Sequence, residues 1–354
     1  MSRGKRRELY QEYPPPGEQQ LVQELAEFMK YAIAEKHFLS GATQRGPHPK
    51  SVAAIKAELT VDADVPAELR HGLFAQPRSY PAWIRLSNAN QTPAPDKSPD
   101  FRGFAIKLMG VPGEKVLPEE RWATTQDFVL QSTRNFPARD LEQSLDLIKA
   151  LNASAAGLLW FLLTNPWAAL VIFTGIKRFA NLLEVQFWST TPYRLGPELA
   201  VKYSAKPRGE AQDGIPRDPG RNYLREAAAR TLRQREVIFD FFVQVQKDPY
   251  RQPIENALKI WSEELSPLQK VASIRIPRQE VDTAERNWIA ENVQMNVWHA
   301  LPDHRPLGGL NRGRRLTYLE IAEFRRTRNL LPPLEEPTAG PDFFADCGPS
   351  ASMN

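Results

Sequence analysis

Arg314, Tyr318 and Arg325 stand at i, i+4 and i+11, so a helix over residues 314 to 328 places all three on one face. Tyrosine is a poor metal ligand while protonated, because its phenol titrates at about 10. A cation one turn away, here Arg314, favours the phenolate, and ferric iron completes the deprotonation. This geometry can build an axial ligand for a haem iron. Arg325, two turns further along the same face, then reaches a carboxylate on the porphyrin edge through a charge-assisted hydrogen bond. On spacing alone the pattern far more often describes an ordinary amphipathic helix in which the tyrosine packs and the arginines are solvated.

A second group shifts that balance. In Arg45-Gly46-Pro47-His48-Pro49-Lys50 a histidine follows an arginine by three. One imidazole titrating near neutrality can take a proton from the inner oxygen of a peroxide and return it to the outer one. Downstream, Trp83-Ile84-Arg85-Leu86-Ser87 alternates as a strand does and leads to Asp100-Phe101-Arg102-Gly103-Phe104-Ala105-Ile106-Lys107. The remaining histidines, His37, His71, His299 and His304, are expected to pack or to hold hydrogen bonds rather than to ligate.

This order resembles the catalases. The run from Gly72 to Asn88 is similar to the short catalase-related haem proteins. Gln126-Asp127-Phe128, Arg139-Asp140, the stretch from Glu184 to Arg194 and Gly309-Leu310-Asn311-Arg312 extend the likeness over residues 40 to 330. The resemblance implies an α+β fold, a catalase-like antiparallel β-barrel with surrounding helices, binding haem b. It implies Tyr318 as axial ligand with Arg314 beside it, His48 as distal acid–base, and Arg45, Arg85 and Arg325 as propionate partners. The implied activity is that of a peroxidase or weak catalase, reducing hydrogen peroxide or an organic hydroperoxide through an oxyferryl intermediate, with an organic electron donor for the peroxidase reaction. Two other readings stand beside it: a fatty-acid hydroperoxide isomerase or lyase, and a haem-binding protein without turnover.

Departures from the family pattern bear on that choice. Catalases carry a distal asparagine, and counting back from Arg139-Asp140 puts Gln131 or Ser132 at its position. Glutamine keeps the amide on a longer stem, whereas serine offers a single hydroxyl. Asn135 replaces them if the loop is shifted. Pro47 and Pro49 flank the histidine, and Ser51 stands where a glycine usually follows the lysine. Peroxidase chemistry demands less of the second-peroxide site than disproportionation does.

The elements that must position these groups are partly legible. Leu21 to Phe38 has the helical period, and residues 53–61, 82–87, 103–109 and 127–131 read as strands of an antiparallel sheet. Three regions are expected: an arm and amphipathic helix over 1–39, the haem domain over 40–330 with an apolar insertion at about 150–180, and a proline-rich tail over 331–354 that is extended or disordered. No charged residue lies between Lys149 and Lys177. Asn165-Pro166 divides that run into two helices of about ten residues. These either cover the barrel, or lie on a membrane or another subunit, or span a bilayer.

With 354 residues, 42% of them apolar and 25% charged, the composition is that of a soluble globular enzyme. A net charge of +4 without an extended basic block argues against nucleic acid. The single cysteine, Cys347, excludes an internal disulfide and a thiolate haem ligand in the core. Residues 1 to 17 lack an apolar signal region, so a cytoplasmic protein is expected, with membrane association through 155–176 and homo-oligomerisation both compatible with the sequence.

Overall fold

The computed structural model of the chain describes residues 7–36, 43–46, 48–331 and 335–348. His37, Pro47 and the tail prolines Pro332, Pro333 and Pro349 lie outside them. The described strands are β1 (Lys50–Val61), β2 (Ser79–Asn88), β3 (Arg102–Met109), β4 (Thr125–Gln131), β5 (Phe187–Trp188), β6 (Tyr193–Leu195), β7 (Leu199–Pro207), β8 (Val237–Val245) and β9 (Gln269–Ile276). The helices are α1 (Glu18–Lys36), α2 (Leu141–Asn152), α3 (Ala155–Thr164), α4 (Pro166–Gly175), α5 (Tyr223–Gln234), α6 (Ala284–Asn292) and α7 (Gly309–Arg328).

The strands run in the order β5-β4-β3-β2-β1-β9-β8-β7-β6, and β5 also pairs with β7. That pairing closes an antiparallel barrel of eight strands and leaves β6 as a hairpin extension of β7. Closure removes the exposed edges that an open sheet presents. The fold is the expected one: α+β, a catalase-like barrel wrapped by helices.

Two-residue alternation assigns the faces. Ile84 and Leu86 of β2, Phe104 and Ile106 of β3, and Phe128 and Leu130 of β4 join the buried core with Tyr203 and Phe241. The interior is aromatic, with Phe128 and Tyr203 packed edge to face at 4.9 Å between centroids. The intervening residues Arg85, Ser87, Gly103, Ala105 and Val129 consequently project outward. Along β2 to β4 they form the floor of the site.

Helix α7 closes the site from above. Its first turn is anchored by Arg312, which pairs with Glu12, Glu18 and Glu255. The carboxylates around it hold the guanidinium firmly protonated despite burial. Further along, Lys30 of α1 pairs with Glu320 at 2.6 Å.

Of the two expectations for the C-terminal tail, extended or disordered, the described residues take the first. Over 335–348 it packs on the barrel, with the Phe343 ring edge-on to Trp83 at 5.3 Å. Asp346 pairs with Lys56 at 2.9 Å and with buried Arg286 at 2.8 Å. Glu336 reaches Lys107, which also pairs with Asp127. Three buried cations, Lys56, Arg286 and Lys107, therefore give the tail fixed partners that proline content alone does not disclose.

Candidate active site

Between the outer face of β2–β4 and helix α7 lies a cavity with about 740 Å³ of empty space. Its sheet wall carries His48, Arg85, Ser87, Gly103, Ala105 and Val129, and its helix wall carries Tyr318, Ile321, Ala322 and Arg325. The helical residues recur at i, i+3, i+4 and i+7, the stripe one helix face presents. The two sequence groups, Arg45, His48 and Arg85 on one side and Tyr318 and Arg325 far downstream on the other, meet across this space.

His48 is held in a cradle. Its Nδ1 lies 3.0 Å from Ser87 Oγ. A Cβ at position 103 would stand 2.7 Å from that Nδ1 and 2.6 Å from the same hydroxyl, so only glycine leaves room. The His48 backbone sits at φ +58°, a conformation that non-glycine residues adopt at a cost, and its carbonyl accepts from Arg85 Nη2 at 2.8 Å. Loss of solvent first, then the positive charges of Arg85, Arg314 and Arg102, push the imidazole down to about 3. It is neutral at physiological pH, and without a bound partner it is a weaker base than the imidazole titrating near neutrality expected from the sequence.

One end of the cavity collects positive charge. Arg45 Nη2 donates to the carbonyls of Glu291 and Val293, and Arg85 Nε donates to that of Ala290 at 2.7 Å. Arg325 Nη2 pairs with the Glu291 carboxylate at 2.5 Å. The C-terminal end of α6, with its unpaired carbonyls and negative dipole end, gathers all three guanidinium groups. Burial and mutual repulsion lower the proton affinity of Arg45 well below its ordinary value and that of Arg85 to about 10. Three cations face one carboxylate, an excess of two positive charges.

Two further observations test whether a haem fits. Arg45 Nε and Gln294 Nε2 are buried without a hydrogen-bond partner, and both residues line the cavity. A flat apolar group bearing two carboxylates would supply the missing acceptors and the missing charge together. The residues present fit haem b. Tyr318 would hold its iron, and Arg45, Arg85, Arg325 and Gln294 its acidic edge.

Other expected residues sit elsewhere. Arg314 lies one turn before Tyr318, but its Nη1 donates to Thr191 Oγ1 at 3.2 Å and Asn311 Oδ1 at 3.1 Å. Gln131 stands opposite Gly103 in the β3–β4 ladder, yet neither it nor Ser132 is among the cavity-lining residues. The Ser132 hydroxyl accepts from the Arg102 backbone N–H at 2.9 Å. Asn135 donates to the Leu258 carbonyl, also away from the cavity. His304 is locked between Tyr203 and the Leu73 N–H. His299 meets Glu120 and Asp127. Sequence reasoning did not single out Ser87, Gly103, Gln294 or the end of α6. Ser87 was detectable, since alternation from Arg85 puts it on the same face.

The chain resembles solved catalases in structure. A fungal catalase superposes with a TM-score of 0.66 at 16% identity, covering 90% of this chain and 65% of that one. Catalase A from Saccharomyces cerevisiae gives 0.66 at 17%, covering 92% and 68%. A bacterial catalase gives 0.63 at 18%, covering 99% and 73%. The chain thus has the catalase fold and spans about two thirds of the length of these proteins. No protein-family model matches it, and no curated protein matches it.

Proposed function

We propose that the protein is a haem-dependent peroxidase or weak catalase that reduces hydrogen peroxide or an organic hydroperoxide. The observation that carries this reading is the cavity itself, with His48 on one wall, Tyr318 on the other, and an excess of two positive charges at one end. Haem b, when bound, would supply the redox-active iron, the peroxide the oxidising equivalents, and the donor or a second peroxide the electrons that restore the iron. The chain supplies the rest. Tyr318 would offer its phenolic oxygen to the iron, and the arginines would fix the orientation of the acidic edge. With Nδ1–H given to Ser87 Oγ, His48 Nε2 is left to accept the proton of the inner peroxide oxygen and pass it to the outer one. The fold of the catalases supports the assignment to peroxide chemistry.

The deciding experiment is the absorption spectrum of the purified protein supplied with haem, followed by peroxide with and without a dye donor. A ferric-phenolate Soret spectrum, shifting with peroxide and accompanied by dye oxidation, supports the peroxidase. Oxygen release without donor makes it a catalase. Absence of haem uptake overturns both.

Two observations favour other readings of the same cavity. The apolar helices α3 and α4 end beside the sheet wall, where Lys177 and Asp100 bridge three residues before Gly103. This favours a lipid hydroperoxide as substrate, and its conversion without any donor would define an isomerase or lyase. The absence of Gln131, Ser132 and Asn135 from the cavity wall favours haem binding without turnover. A Soret band with no rate enhancement on hydrogen, alkyl or lipid peroxides would establish that case.

A further inference from the structure

Helices α3 and α4 are apolar around their whole circumference and meet at 112° across Asn165-Pro166. Only one side of the pair is used by the fold. Phe161 and Ala168 pack with Leu147 of α2. The other side is open: Trp167 is 73% exposed, Trp160 70%, Leu163 69% and Phe173 66%, joined by Leu159 and Leu170. A contiguous exposed patch of this kind marks a docking face.

We infer that this hairpin seats the protein on the surface of an anionic lipid bilayer, with its open face in the headgroup boundary of one leaflet. The inference is independent of what the cavity binds. Each helix has ten residues and is about 15 Å long, half the hydrocarbon thickness, and the bend turns the pair back on itself. The hairpin lies on a bilayer rather than crossing it. Two exposed tryptophans suit that boundary, where an apolar ring meets polar headgroups.

The polar groups on this face decide between lipid and a second copy of the chain. Thr164 Oγ1 donates to the Trp160 carbonyl at 2.8 Å, and Thr174 Oγ1 to the Leu170 carbonyl at 2.7 Å. Asn165 Nδ2 donates to the Phe161 carbonyl at 3.0 Å, and its Oδ1 accepts from Gln143. These donors are spent within the hairpin and its support. A protein partner draws on hydrogen bonds across an interface, whereas hydrocarbon requires that every donor be satisfied internally. Charge agrees. No carboxylate occurs between Asp146 and Glu184, while Lys149, Lys177 and Arg178 rim the face. Lys149 is paired with Glu24, and Lys177 and Arg178 are exposed. Basic residues beside an inserted apolar face add attraction to anionic lipid.

The hairpin is also tied rigidly to the barrel. Lys177 exchanges backbone hydrogen bonds with Asp100 at 3.1 and 3.2 Å, and Phe101 fills the space over Gly175. Seating on a bilayer would therefore fix the orientation of the sheet wall that carries Gly103.

Full-length protein mixed with vesicles of phosphatidylcholine, with or without phosphatidylglycerol, tests this. The protein is expected to sediment with both vesicles, more with the anionic ones, and salt is expected to remove that difference. Its tryptophan fluorescence is expected to be quenched more by lipids brominated near the headgroup than by those brominated at the chain end. Joint Trp160→Ser, Trp167→Ser and Phe173→Ser substitution should weaken partitioning by about tenfold or more. Lys177→Glu with Arg178→Glu should abolish only the preference for anionic lipid, which keeps the test decisive if the triple variant fails to fold. Failure to partition onto either vesicle overturns the inference. So does a dimer in light scattering that the triple substitution converts to monomer, because the face would then serve self-association.

Discussion

Replacing Arg85 by methionine should weaken haem binding while leaving the haem-free protein nearly as stable as before. Burial above all, with the like charge of Arg325 adding and Glu291 opposing, lowers the Arg85 guanidinium from its ordinary 12.5 to about 10. Each tenfold change in proton affinity is worth about 1.4 kcal/mol, so keeping Arg85 charged in the haem-free protein costs the fold roughly 3 kcal/mol. The methionine relieves that cost and fills similar volume. Against it stand two lost hydrogen bonds, to the carbonyls of Ala290 and His48, each worth about 1 kcal/mol with a further penalty for stranded acceptors. The two sides nearly cancel. In the loaded protein the balance differs, because a charge-assisted hydrogen bond to a carboxylate contributes about 1.5–3 kcal/mol, or roughly tenfold to a hundredfold in affinity. Urea unfolding of the haem-free protein and Soret titration with haem measure the two quantities separately. Unchanged haem affinity would refute the assignment of Arg85 to an acidic edge. Large destabilisation of the haem-free protein would show that the cluster is structural and lacks the excess charge ascribed to it.

Tyr318→Phe should remove the ferric-phenolate spectrum or the haem itself, and retention of an unchanged spectrum takes Tyr318 out of the ligand role. His48→Ala should lower peroxide turnover by about a hundredfold or more with haem still bound, and Ser87→Ala by about tenfold, since the hydroxyl only orients the ring; equal rates in both variants and the wild type would end the distal assignment. Acid stability has a defined sign. His48 and His304 both titrate at about 3 in the folded chain, so the stability linked to their neutral forms is complete above the unfolded value of about 6.5 and is lost as pH falls from there toward 3. At His299, burial and Lys107 oppose protonation but Asp127 and Glu120 outweigh them, holding it at about 9; its contribution is complete below about 6.5 and is lost as pH rises through 9. Urea midpoints followed across pH should decline in both directions, and His48→Phe should reduce the acid slope by about half of the part due to His48 and His304.

How much was legible depended on range along the chain. The helix bearing Tyr318 was predicted over 314–328 and occupies Gly309–Arg328, because its i, i+4 pattern is local. The four N-terminal strands were found a few residues short, since alternation is also local. What the sequence hid is collected from a distance. Nothing near Ala290 and Glu291 announces that a helix end there gathers Arg45, Arg85 and Arg325. Gln294 went unnoticed because an amide reveals its use only when its neighbours leave it unpaired. The search for a distal amide by counting from Arg139-Asp140 reached the end of β4, where Gln131 stands opposite Gly103. It could not show that the Ser132 hydroxyl is already taken by the Arg102 N–H.

That last point bears on the chemistry. A second peroxide must be held while it is oxidised, and on the distal side the described chain presents His48 and Ser87 together with Gly103, Ala105 and Val129, with no amide from residues 131 to 135. His48 can carry a proton in the first step, because its cradle keeps it neutral and oriented. The second step requires an additional polar contact that the sheet wall does not offer. An outside donor needs no such contact, since electrons pass at the cavity edge. If the proposed reading holds, this cradle would favour peroxidase turnover over disproportionation, and Val129→Asn, which places an amide on that wall, should raise oxygen release relative to dye oxidation. If the ratio is unchanged, the missing amide is not what limits the catalase reaction.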